Sequence, residues 1–236
     1  MRLQAIVAKS LLACAVAAMA AAVVLGKDAA AGEASVPAVT QCEGARIAVH
    51  GGGRMDIALI CAGGRDAIGF FAERKLDTAV DVDVEVASVL PDKVDPSAFG
   101  CYYPARKRVY VLPFVDFARR KEWFGIAIDP AMYRSLASHE IAHAIAACNF
   151  RFERPSLSAV EYIGYVAMLS SMPPDLRRRV LAQRPGDGFG AEEEINTFIY
   201  LVEPVRFAVQ SYRHYLRPEN GDRFLRDVLA GRVSLE

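Results

Sequence analysis

Residues 129–148 read DPAMYRSLASHEIAHAIAAC. Asp129 is a helix-capping acceptor and Pro130 suits the first helical position, so the pair predicts a helix start. No further Pro and no Gly follows before Cys148, and the helix is expected to run to about that residue. Positions i and i+4 share one helix face, so His139 and His143 can present two imidazoles to one ion. Glu140 sits about 100° round the axis from His139, beside such an ion and not on it. That is the place for a base that takes a proton from activated water. At this composition a His-Glu-x-x-His run is expected by chance roughly 0.004 times in a chain of this length. The run is therefore read as a zinc-binding helix, with Zn2+ as the expected cofactor.

A catalytic zinc commonly takes three protein ligands and a water. Glu161 is the expected third ligand, because it lies within the apolar run Ser158 to Tyr165 (SAVEYIGY), where an unpaired buried carboxylate is costly. Glu153 is nearer, but it stands in the polar run Arg151 to Arg154 and reads as a solvated charge. No third histidine occurs between Ala144 and Arg154, so a three-histidine site on this segment is excluded.

Downstream, residues 157–172, 175–183, 191–201, 205–216 and 221–230 read as helices, the first stopped by Pro173-Pro174. Upstream, residues 46–50 and 56–61 are short apolar runs around Gly51-Gly52-Gly53 and predict a β-hairpin. The glycine cluster has no Gly-Lys-Ser/Thr ending, so it is not read as a phosphate loop. Residues 65–76 carry a helical pattern and residues 80–90 alternate as a strand. Residues 101–103 and 108–112 predict a second hairpin, and 115–123 a short helix. Strands first and helices later give an α+β class: a small, mostly antiparallel N-terminal sheet followed by a helical part that carries the metal helix.

The first 31 residues have the layout of a secretory signal peptide: basic Arg2 and Lys9, an apolar run from Ser10 to Gly26, and Ala29-Ala30-Ala31 as a small-residue cleavage site. The rival reading is an uncleaved anchor, the one expected link to a membrane. Residues 32–64 are then an N-terminal strand extension. Export to a periplasmic or secreted location makes disulfides expected. Removing residues 1–31 takes away Cys14 and leaves Cys42, Cys61, Cys101 and Cys148. Four cysteines allow three connectivities, of which local order favours Cys42–Cys61, between neighbouring strands, and Cys101–Cys148, between the second hairpin and the metal helix. The 28 basic and 28 acidic residues balance, so nucleic acid is excluded as a partner on charge.

The HEIAH run at 139–143 and EYIGY at 161–165, with 17 residues between His143 and Glu161, resemble a gluzincin, the thermolysin-like class of zinc metallopeptidases. The resemblance covers about residues 65–172, and it implies that residues 65–236 form a metallopeptidase domain. It implies zinc on His139, His143 and Glu161, Glu140 as general base, and a peptide or protein substrate. Thermolysin-like members use a downstream histidine at the transition state, a role that would fall to His214. The aromatic cluster Tyr212 to Tyr215 reads first as packing of the C-terminal helices. Strand 108–112 would offer an edge to an extended peptide. Tyr165 stands where thermolysin-like members carry an aspartate that orients a histidine ligand, so the resemblance names no such residue here. The alternative expectation is an exported binding or scaffold protein that retains a zinc site without proteolysis. An amidase acting on cell-wall peptide is a third.

Overall fold

The glycine run 51–53 ends a strand and opens a helix. Gly51 and Gly52 take positive φ values of 73° and 78°, and Gly53 N–H donates to Asp56 Oδ2 at 2.8 Å. Asp56 Oδ1 accepts from Phe114 N–H at 2.8 Å, so one buried carboxylate closes two chain turns. In the computed structural model, which describes residues 39–92 and 97–236, helix α1 therefore spans Arg54–Glu73. This corrects the expected strand at 56–61. Ile60, Cys61, Gly64 and Ala67 are buried along it, a helical spacing that the short apolar run also satisfies. The helix also runs through the position between residues 64 and 65 at which the sequence reading divides the chain. The signal-peptide reading of residues 1–31 lies outside the described residues.

Five strands form the main sheet: β1 (Val39–Gln41), β2 (Ile47–His50), β3 (Val82–Val86), β4 (Gly100–Tyr103) and β5 (Arg108–Val111), in the order β1-β2-β3-β5-β4. The class is α+β as expected, with the sheet first and helices after it. The sheet itself is mixed and not mostly antiparallel: β1–β2 and β4–β5 are antiparallel, whereas β2–β3 and β3–β5 are parallel. The reason is α1. A helix between β2 and β3 returns the chain to the same end of the sheet, which makes the next strand parallel. Ile47, Val49, Val82, Val84, Val109 and Val111 are buried on one face, against α1 and the helix that carries His139 and His143. The other face carries His50–Asp83 at 2.6 Å and Arg108–Glu85 at 3.0 Å, the alternation a one-sided sheet requires.

After β5 come α2 (Phe114–Ala118) and a small ribbon of β6 (Glu122–Trp123) and β7 (Ile126–Ala127). Helix α3 (Pro130–Asn149) begins as expected, with Met132 N–H on Asp129 Oδ1 at 2.8 Å. It is covered by α1, α4, β4 and β5. A helix enclosed on all sides has no solvent face to reserve for charge, which accounts for the mostly uncharged run after Arg134. Gly63 makes the α1–α3 crossing possible: a Cβ there would lie 2.4 Å from the Arg134 carbonyl. Helices α4 (Leu157–Ser171), α5 (Pro174–Ala182), α6 (Thr197–Val202), α7 (Pro204–Tyr215) and α8 (Gly221–Leu229) complete the chain. Among the described residues no helix is long and apolar enough to cross a membrane.

Cys42 and Cys61 are joined, with Cα atoms 5.3 Å apart, but the bond ties the β1–β2 hairpin to α1 and not to another strand. Cys101 and Cys148 are free, which corrects the second expected pair. A Cβ on Gly100 would meet Glu140 of α3 at 2.9 Å, so that side of β4 faces the helix. Successive strand residues point to opposite faces, so Cys101 turns away from the helix that carries Cys148.

Candidate metal centre

Helix α4 lies against α3 where His139 and His143 project, and Gly164 sets the approach. A Cβ at Gly164 would stand 2.5 Å from His143 Cε1 and 2.9 Å from His139 Cε1. Glu161, one turn earlier on α4, then reaches both imidazoles. His139 Nε2 and His143 Nε2 are 3.0 Å apart. Glu161 Oε2 is 3.5 Å from His139 Nε2, and Oε1 is 3.7 Å from His143 Nε2. Two ligand atoms bound tetrahedrally at zinc–nitrogen distances of about 2.0–2.1 Å stand about 3.3 Å apart. Glu161 reaches the two imidazoles through different oxygens, and one donor atom from each of the three residues lies within 4.8 Å of the others, so the trio could hold a metal ion. Glu161 Oε2 is buried and completes no hydrogen bond of ordinary geometry; His139 Nε2, at 3.5 Å, faces it. These three residues are the one such cluster of metal-ligating side chains among the described residues. Glu153 is exposed and plays no part in it.

The surroundings hold the two rings in place. Backbone carbonyls of α4 face them, Gly164 toward His139 and Val160 toward His143. Neither Nδ1 completes a hydrogen bond. The Tyr165 ring lies over His139, centroids 4.4 Å apart and tilted by 35°. Tyr165 thus contacts the His139 ring face with an aromatic and not a charged side chain. Burial opposes charge on both imidazoles. It pushes His143 down to about 4, with His139 adding to the effect. On His139 burial is outweighed by the Glu161 hydrogen bond and by the charges of Glu140 and Glu161, and the net direction is upward. Burial also acts against the Glu161 carboxylate, but His143, His139 and a hydrogen bond from Tyr200 hold it below the usual range.

Glu140 stands beside the trio and outside it. Burial raises its carboxyl to about 7, a rise that His139 opposes and Glu161 reinforces. Its neighbour is β4. Phe99 carbonyl accepts from Leu112 N–H at 2.9 Å. The antiparallel alternation then turns the backbones of Cys101 and Tyr103 toward β5 and those of Gly100 and Tyr102 outward. The Tyr102 N–H hydrogen-bonds the Glu140 carboxylate accordingly. The free sheet edge beside Glu140 is therefore β4, because β5, the strand expected to offer it, is paired on both sides.

His214 is not brought to the trio. Its Nδ1 lies 3.0 Å from the Tyr162 hydroxyl, its ring packs on Phe224, and its ionic neighbours are Arg217 and Glu219. Tyr162 follows Glu161 by one residue and so points round α4 from the metal face. Sequence reasoning missed Gly164, Tyr200 and the Tyr102 N–H. Gly164 did leave a signal, since a glycine inside an apolar helical run marks a close approach. Tyr200 left none, because only the tertiary fold carries it to Glu161.

The profile of a family described as "Family of unknown function (DUF6639)" matches residues 47–236, and the chain belongs to that family. No curated protein and no solved structure matches the chain.

Proposed function

We propose that this member of a family without an assigned activity is a zinc-dependent hydrolase of gluzincin type, with a peptide or protein amide as substrate. The observation that carries the reading is the set of separations of 3.0, 3.5 and 3.7 Å among donors of His139, His143 and Glu161, with Glu140 adjacent and not a member. A bound zinc ion would supply Lewis acidity toward a carbonyl oxygen and toward water. His139, His143 and Glu161 are three ligands, where a closed structural zinc site takes four. Glu140 accepts the proton of the attacking water and delivers it to the departing amine. Burial raises the Glu140 carboxyl, which favours its taking up a proton. The Tyr102 N–H holds one side of the carboxylate, and the outward backbone of β4 is the edge along which an extended peptide can align.

One observation favours the alternative of a scaffold with a retained zinc site: His139, Glu140 and His143 are each 5% exposed and Glu161 7%. One set of variants separates the two readings. Wild type should carry about one zinc per chain by elemental analysis, and His139→Ala should carry none. Glu140→Gln should keep the zinc and the fold, and lose hydrolysis by at least the order of 10²–10⁴-fold. Glu161→Gln should weaken zinc binding first, with activity restored by excess metal. The assay is cleavage of a broad peptide library, cell-wall peptides included, followed by mass spectrometry. A zinc-loaded wild type that cleaves nothing favours the scaffold. A Glu140→Gln variant as active as wild type refutes the mechanism.

A further inference from the structure

Helix α1 borders a groove of about 300 Å³ whose opposite wall is the end of α4, at Ser170 and Ser171. None of the metal trio lines it. Arg65, Gly69 and Glu73 follow one another at i, i+4 and i+8 along the α1 side. Gly69 is the floor between the two charges, with nothing within 4 Å of the Cβ it lacks. A glycine in a helix interior costs stability relative to alanine, and no packed neighbour accounts for this one. Close approach of a ligand to the backbone does. Four charged side chains line the groove, and two of them are already neutralised. Asp66 accepts two hydrogen bonds from Arg134, each of 2.6 Å. Arg74 lies 3.7 Å from the centre of the Phe70 ring and pairs with Asp222 at 2.9 Å. The other two are open. Arg65 makes no hydrogen bond or ion pair among the described residues. Glu73 touches only Arg74, at 3.5 Å, and its side chain is 78% exposed. In the opposite wall, Ser170 Oγ completes no hydrogen bond.

We propose that this groove binds a short peptide with free termini, about two or three residues long. Its two ends carry opposite open charges. Arg65 and Glu73 stand eight residues apart, about 12 Å along the helix axis at 1.5 Å per residue. A tripeptide spans about 10 Å at 3.3–3.6 Å per residue, and the two flexible side chains close the difference. Glu73 is the last residue of α1, where the helix dipole is negative, so it receives the ammonium end. The Arg65 guanidinium takes the carboxylate end through paired hydrogen bonds. The peptide main chain crosses above Gly69, where a side chain would obstruct it, and Ser170 offers its hydroxyl to an amide. A groove of about 300 Å³ suits a ligand of that size, at the lower end of small-molecule sites. The charges of the groove identify this ligand without reference to zinc.

The test is calorimetric titration of the full metal-free chain with trialanine, which has two free termini and no side-chain charge. Trialanine capped by N-acetylation and C-amidation is the control. Wild type should bind about one trialanine per chain, and the capped peptide at least about 10-fold more weakly. Arg65→Ala and Glu73→Ala should each weaken trialanine about 10- to 100-fold, the range for a hydrogen bond to a charged group. Gly69→Leu should abolish binding and melt no lower than wild type, since leucine is the better helix former and meets open space. His139→Ala should bind trialanine as wild type does. No saturable binding to wild type overturns the peptide site. Equal affinity for free and capped peptide overturns it, because the termini are then not read. Equal binding by wild type and Gly69→Leu overturns it, because the peptide then sits elsewhere on the chain. Loss of binding in His139→Ala also overturns it, by assigning the peptide to the metal centre. Zinc content of wild type, measured separately, decides the hydrolase reading and leaves the groove untouched.

Discussion

Adding one methyl at Gly164 and one at Gly69 should move stability in opposite directions. Both glycines lie inside helices, α4 and α1. In an open helix interior the change from Gly to Ala gains up to about 1 kcal/mol, because Ala loses less backbone freedom on folding. Gly69 is such a site, with nothing within 4 Å of an added Cβ. Its alanine variant should gain about 0.5–1 kcal/mol, or roughly 1–4 °C in Tm for a domain of this size. At Gly164 the added carbon would stand 2.5 Å from His143 Cε1, about 0.9 Å short of the 3.4 Å at which ordinary contact begins. His139 Cε1, at 2.9 Å, would have to yield by about 0.5 Å as well. Both atoms belong to rings packed on all sides, so overpacking should cost about 1–3 kcal/mol and cancel the helix gain. The displacement also exceeds the roughly 0.2 Å within which zinc–ligand distances hold. Zinc affinity should therefore fall by at least the order of 100-fold, more than the 10- to 100-fold typical of an outer partner. The assays are a thermal melt of each metal-free variant and a chelator competition for zinc. A Gly164→Ala protein that melts with Gly69→Ala and binds zinc like wild type would refute the packing argument.

Two further predictions use groups away from the trio. Alkylation without reduction should label Cys148 readily. Cys101 should be labelled slowly until the chain is unfolded, because burial and the charge of Glu140 push its thiol up to about 12. Peptide mapping that finds Cys101 bonded to Cys148 would contradict this. His214 is pushed from 6.5 to about 4, by burial first and by Arg217 second. At pH 7 its imidazole is neutral in the folded state and mostly neutral in the unfolded one. Below 6.5 the unfolded chain takes up a proton that the folded chain refuses, so stability is lost progressively down to about pH 4. The loss is bounded near 3 kcal/mol and is reduced by whatever solvent screens the group. Urea midpoints at pH 7 and pH 5 should converge for His214→Gln relative to wild type, and identical pH slopes in the two proteins would rule out His214 as the source.

Helix α3, and the shared face of its two histidines, were legible from the sequence because that information is local. Asp129-Pro130 marks a start, and i,i+4 spacing puts two imidazoles on one face whatever the rest of the chain does. Glu161 was legible for a related reason: a charge inside an apolar helix needs a cation, and the burial that makes it costly is written in its neighbours. The hairpin of β4 and β5 followed from two apolar runs and a short turn. Residues 56–61 misled because six apolar-rich residues satisfy strand and helix alike, and the arbiter was Asp56, whose carboxylate caps the turn and also holds Phe114, 58 positions away. Parallel pairing of β2 with β3 followed from that helix. The partners of Cys101, Glu140 and Tyr200 were settled by which face of a strand or helix met another element, and that depends on register and close approach over long stretches of chain. Local spacing determined which side chains can share an ion. The tertiary structure alone decided that Gly164 lets α4 close on them, that Tyr200 packs beside Tyr165, and that His214 packs elsewhere, because those contacts join segments whose separation no local pattern encodes.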